Sequence, residues 1–203
     1  MKIIETRRAP NPRRVRIFLA EKGIDVPFQE IDLNKMEHRT PEFGDLNPMR
    51  QVPVLILDDG TVISETVAIC RYFERVNPEP CLFGSGAKEE AAIEMWSRRV
   101  ELGLMFPVAQ VFRHLHPAMI GREVPQVPQW AEANRPRVVN MLRVIDKELA
   151  GRAFVAGDAF TVADITALVA IDFMKFAQLN RPGDLTNLDR WYNAVSARPS
   201  AAA

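Results

Sequence analysis

The chain has 203 residues, 47% of them hydrophobic and 26% charged, enough apolar mass for a sizeable core in one or two domains. Its 26 basic and 26 acidic residues cancel, and like charges run no further than arginine pairs such as Arg7-Arg8 and Arg13-Arg14, so neither nucleic acid nor a membrane surface is an expected partner. The N-terminus lacks a leader's apolar core and no apolar run approaches the roughly 20 residues of a spanning helix, so a cytoplasmic protein is expected.

In chain order, residues 2–6 read as a short strand. Asn11-Pro12 reads as an N-cap followed by proline at the first helical position, opening a helix through Glu21 that Gly23 ends. Residues 26–33 form a second strand, and Thr40-Pro41-Glu42 starts a short irregular helix before Asn47-Pro48 forces a turn or extended chain. Residues 53–57 are a buried strand, Asp58-Asp59-Gly60 a hairpin turn, and residues 61–63 its antiparallel partner. A helix over 65–76 follows, with Asn77-Pro78 as its stop. The order β-α-β-α-β-β-α is an α/β layer that matches the thioredoxin-like fold.

Beyond Ser85 the strand signals fade. Ile93, Trp96, Val100 and Leu104 recur at helical spacing, as do Val138, Met141, Leu142, Ile145 and Leu149. A long helix should bend near Pro107, and a loop should span roughly residues 116–127. Thr161 and Asp164 form a capping box, with Phe160 and Ile165 placed as a hydrophobic staple, so a buried helix starts at Val162. A last helix covers about 185–197. The expected fold is therefore α/β plus all-α, with a thioredoxin-like domain over 1–80 and an all-helical domain over 86–203. Cys70 and Cys81 make neither a Cys-x-x-Cys pair nor a disulfide framework, and three histidines do not suggest a zinc site, so no metal is expected.

This organisation, with Pro41-Glu42-Phe43, Asn47-Pro48, Gln51-Val52-Pro53-Val54-Leu55, Ser64-Glu65-Thr66 with Ala68-Ile69, and Phe160-Thr161-Val162-Ala163-Asp164 in that order, resembles the cytosolic glutathione transferases over the whole chain. The Asn-Pro-Arg-Arg-Val-Arg opening and the Glu37-His38 stretch look most like bacterial and fungal members of nu-like and yeast-like type. The resemblance implies glutathione as co-substrate, small hydrophobic electrophiles or disulfides as second substrates, and a homodimer.

Glutathione carries an amino group and a carboxylate at its γ-glutamyl end, a central thiol and a glycine carboxylate. The resemblance implies a cis Val52–Pro53 bond, which would turn the Val52 N–H and C=O toward the cysteinyl unit like an added strand. Ser64 and Glu65 fall at the junction of a strand and a helix N-terminus, which suits the γ-glutamyl carboxylate and ammonium, while Ser64 is equally an N-cap and Glu65 a first-turn acid. Gln51, His38 and Lys35 can hold the glycine carboxylate or simply face solvent.

Catalysis needs a thiolate, and a model thiol pKa of about 8.5 must fall to give one at neutral pH. Where relatives carry a tyrosine, serine or cysteine after the first strand, this chain has Ala9, and Tyr72 and Tyr192 lie far downstream. Asn11 can donate its amide to the thiolate, as in nu-like relatives, or serve as a cap. The helix N-terminus with Arg13 or Arg14 can act electrostatically. His114 or His116 can hold a water that takes the proton, as suggested by yeast-like relatives, or be polar surface. Thr6 is a further, more distant choice, inside the strand end. Met105, Val108, Phe112 and Met119 are candidates for an electrophile pocket, at a spacing that also suits core. Besides conjugation, two other readings follow: a glutathione-dependent disulfide reductase or peroxidase, and a non-catalytic binding module.

Overall fold

The computed structural model describes all 203 residues, which divide into two compact units, Met1–Cys81 with Pro199–Ala203, and Leu82–Arg198. The first holds β1 (Lys2–Glu5), α1 (Pro10–Lys22), β2 (Phe28–Glu30), α2 (Pro41–Leu46), β3 (Val54–Ile56), β4 (Val62–Ser64) and α3 (Thr66–Val76). Its sheet runs β2-β1-β3-β4, with β1 parallel to β2 and antiparallel to β3, and β3 antiparallel to β4. Alternation sets the two faces. Ile4 and Val54 pair on one face and cluster with Phe43 of α2, while Ile3 and Leu55 pair on the other and are fully buried. Helices α1 and α3 pack together through a core that includes Val15, Phe18, Ile69 and Phe73.

The second strand is shorter than the sequence suggests, because β2 is an edge strand whose three residues are all exposed. Its ladder is completed by the Ile3 N–H on the Pro27 carbonyl and the Ile31 N–H on the Glu5 carbonyl. Two cap assignments also change. Ala9 is the N-cap of α1, so Asn11 sits inside the first turn between Pro10 and Pro12. Ser64 ends β4, and the N-cap of α3 is Glu65, held at φ +71° with no capping hydrogen bond from its side chain. Helix α1 ends as expected at Gly23, in the left-handed region at φ +63°.

Several charged groups tie this unit together. Arg16 donates to the Glu5 carboxylate at 2.5 Å and to the Arg7 carbonyl at 2.6 Å, bracing the turn between β1 and α1. Buried Lys22 pairs with Glu74 at 2.5 Å and donates to the carbonyls of Asn77 and Pro78, joining the end of α1 to that of α3. The C-terminal segment lies on α1, where Arg13 donates to the Ala201 carbonyl at 3.0 Å and Ser200 to Glu21.

The second unit holds α4 (Ala87–Val100), α5 (Phe106–Leu115), α6 (Pro128–Leu149), α7 (Val162–Met174) and α8 (Thr186–Ser196). A π-helical segment, Glu101–Met105, joins α4 to α5 just before Pro107. Proline has no N–H and its ring crowds the carbonyl four residues back, so a wider turn at that point absorbs the conflict expected there as a bend. Pro136, by contrast, lies inside α6, where buried Asn134 adds a side-chain bond to the Trp130 carbonyl at 2.7 Å. Helix α7 is buried along nearly its whole length. Its Asp164 accepts four hydrogen bonds, from the Thr161 N–H and hydroxyl, the Val155 N–H and the Trp191 indole. No helix is long and apolar enough to cross a membrane.

Candidate functional site

Topology brings most of the candidate residues of the first unit to one end of its sheet. The C-terminal ends of β1, β2 and β4 and the N-terminal end of β3 share that end, since Ile4 pairs with Val54, Val54 with Ser64, and Glu5 with Glu30. The N-terminus of α1 follows β1 there, and that of α3 follows β4. Asn11, Val52, Pro53, Ser64 and Glu65 are thus assembled around one sheet edge from three distant stretches of chain. Lys35 and His38 lie on the segment that leaves β2 at the same end, Lys35 exposed and His38 half-buried in a 3-10 turn, Glu37–Arg39.

The Val52–Pro53 bond is cis. The Val52 side chain packs on the Ile4, Phe43 and Val54 cluster, while its backbone N–H and C=O have no partner within the chain. Buried Asn47 shapes the approach to it. Its side chain accepts the Met49 N–H at 3.1 Å and donates to the Gln51 carbonyl at 2.8 Å, and Arg50 turns through φ +52° between them. The sequence marks Asn47 only as half of an Asn-Pro turn, because nothing in its spacing reveals that its amide is buried.

At α3 the first-turn N–H groups of Val67 and Ala68 have no partner in the chain, beside the half-buried Ser64 hydroxyl and the exposed Glu65 carboxylate. Free N–H groups at a helix start and a hydroxyl make an anion-accepting cradle, and a carboxylate next to them accepts an ammonium. At α1 the situation is different. With proline on either side, Asn11 supplies the only N–H of the first three residues, together with its side-chain amide. That amide accepts at Oδ1 from Arg14 at 3.4 Å, leaving Nδ2 with no partner in the chain. Arg13 is engaged at Ala201, and Thr6 donates its hydroxyl to the Ile31 carbonyl at 2.7 Å. Cys70 offers no reactive thiol: burial pushes it up to about 12, against the opposing pull of Arg14.

In the second unit, His114 is buried and accepts the Val127 N–H at Nδ1 (3.1 Å), with Nε2 3.9 Å from Glu123. His116 accepts the Ala118 N–H at Nδ1 (3.1 Å) and stacks on Phe112 with centroids 4.6 Å apart. With Nδ1 occupied by donors, each neutral ring carries its proton on Nε2 and presents an N–H rather than a lone pair. Gln126 donates to the carbonyls of Arg113 and His116, and Arg113 pairs with Glu123 at 2.6 Å, so the connection between α5 and α6 is fastened to the end of α5. Val108 has no exposed surface, Met105 and Met119 are also buried, and Phe112 is half-buried against Phe173. Their helical spacing is the signature of a core face, which the sequence could not separate from a pocket face.

A thioredoxin-like unit with unpartnered backbone groups at Val52 and at the start of α3, followed by a second, all-helical unit, defines the class of two-unit proteins to which this chain belongs. The family model for the glutathione S-transferase N-terminal domain matches residues 9–76, and that for the glutathione S-transferase C-terminal domain matches residues 104–199. The chain is similar to glutathione S-transferase 2 of Saccharomyces cerevisiae, 39% identical over 204 residues that cover 98% of this chain and 87% of that protein. Among solved structures it resembles a glutathione S-transferase domain-containing protein of Marinobacter aquaeolei VT8, with TM-score 0.96, 43% identity and coverage of 98% and 99% of the two chains. It also resembles Gtt2 from Saccharomyces cerevisiae, with TM-score 0.95, 38% identity and coverage of 100% and 99%. The chain belongs to the glutathione S-transferase family.

Proposed function

We propose that the protein binds glutathione across this end of the first unit, stabilises its thiolate and conjugates it to small hydrophobic electrophiles. The observation that carries the reading is the pairing of an unpartnered Val52 backbone with the open first turn of α3. The Val52 N–H and C=O pair with the cysteinyl unit as an added strand. Ser64 and the α3 N–H groups take the γ-glutamyl carboxylate, Glu65 takes the ammonium, and Gln51, His38 and Lys35 hold the glycine carboxylate.

Thiol activation falls to Asn11. Donation from Nδ2 stabilises the thiolate over the thiol, and each unit of pKa lowering needs about 1.4 kcal/mol of that preference. Because the α1 terminus holds a single free N–H, its dipole contributes through Asn11 as well. His114 and His116, with their Nδ1 atoms engaged, serve as Nε2–H donors to a water rather than as bases. A homodimer, a cytoplasmic setting and a role in detoxification complete the proposal.

Retention on glutathione resin tests binding. Conjugation of an aryl halide, set against reduction of a small disulfide, then separates transferase from reductase. A folded protein that passes through the resin would overturn both enzymatic readings, and binding without either turnover would point to a non-catalytic module.

A further inference from the structure

We propose that Arg14 is a positioning residue for thiolate stabilisation, gripping the Asn11 amide by its oxygen so that the NH2 group is left as the donor at the mouth of α1. The inference rests on the assignment of the thiol to Asn11 made above. Arg14 lies three residues on from Asn11 and therefore on the same face of α1, and its Nη1 donates to Asn11 Oδ1 at 3.4 Å. A guanidinium has donors and no acceptor, so only the amide oxygen can turn toward it. The orientation of Asn11 is thereby settled by chemistry, with Nδ2 pointing away from the buried guanidinium.

Three further observations agree. Arg14 is 96% buried, so its charge acts through protein rather than through water. Donation to Oδ1 polarises the amide and strengthens what Nδ2 can give. Arg13, the other cation of the pair, is committed to the Ala201 carbonyl and cannot take this place.

The test is titration of protein-bound glutathione by thiolate absorbance in the wild type, Asn11→Ala, Arg14→Met and the double variant, with KM and kcat for conjugation. Asn11→Ala should raise the thiol pKa by about one unit, and Arg14→Met by about half a unit or more, lowering kcat several-fold below neutral pH with little change in KM for glutathione. In the Asn11→Ala background the Arg14 substitution should add little, since a positioning role vanishes with the group positioned. Fully additive shifts, or no shift from Arg14→Met while Asn11→Ala shifts, would overturn the role of Arg14 alone. No shift from Asn11→Ala would instead remove Asn11 from the chemistry. Asn11→Asp leaves Arg14 in place and covers the case in which Arg14→Met does not fold. The introduced carboxyl should titrate below the ordinary value of about 3.9 by NMR, and a value at or above it would overturn the contact.

Discussion

Asn47 holds Gln51 by a bond from its side-chain amide to the Gln51 carbonyl, 2.8 Å long, and so sets the chain that delivers Val52 to the sheet edge. Asn47→Ala removes that bond and the acceptor for the Met49 N–H from a buried site. It should cost about 1–3 kcal/mol of stability and raise KM for glutathione more than it lowers kcat. Denaturant unfolding and steady-state kinetics on the same preparation check both parts. An unchanged KM in a destabilised variant would separate the turn from the glutathione site.

Glu65 is held at φ +71° with an exposed carboxylate and no capping bond. A non-glycine residue there costs on the order of 1–3 kcal/mol, part of which a glycine recovers at some entropic cost. Glu65→Gly should therefore raise Tm while weakening glutathione binding about tenfold or more, as the partner of the ligand's ammonium is lost. Calorimetric titration beside thermal unfolding would reveal the split, and equal affinity would exclude Glu65 from ligand binding.

Lys22 and Glu74 form a buried pair, and the lysine also serves two carbonyls at the end of α3. Lys22→Met breaks the buried pair with Glu74 and should cost about 3–5 kcal/mol. Adding Glu74→Leu should recover a substantial part, because the buried carboxylate goes too. Urea unfolding of both variants checks this, and a double variant no more stable than the single one would contradict it.

Burial holds the Asp164 carboxyl above its ordinary range, against the pull of four donated hydrogen bonds. A raised folded-state pKa means that the native state keeps this proton longer than the unfolded chain does. The group's favourable contribution is full below the unfolded pKa, near 3.8, and falls as pH rises through the higher folded value. Asp164→Asn lacks that titration and sets an amide NH2 against donors, at a cost of about 1–3 kcal/mol near the acid end. The gap in stability between wild type and variant should narrow as pH rises from 4 toward neutrality; a gap that widens would contradict the sign.

Local chemistry made much of this protein legible. The β-α-β-α-β-β-α order, the Gly23 stop, the Thr40 and Thr161 caps and the buried helix at Val162 each depend on residues within a few positions, and the structure has them. The Val52-Pro53 and Ser64-Glu65 pairs could likewise be picked out, the first with a cis bond in the structure and the second at the end of a strand beside a helix start. The caps at Asn11 and Ser64 were misplaced by a residue or two, because proline at two positions and a residue at positive φ shift a helix start without changing the composition around it.

By itself, then, the sequence determined the order of elements and the caps at Thr40 and Thr161, because these follow from short-range periodicity and backbone preference. Only the tertiary structure decided which polar groups are spent on the chain and which are left for a ligand. Arg13 on Ala201, Arg14 on Asn11, Asn47 on Gln51 and the Nδ1 atoms of both histidines are contacts set by how the backbone folds around them. A hydrogen bond made inside the protein commits that donor or acceptor, and that accounting exists only once the donors and acceptors have been brought together.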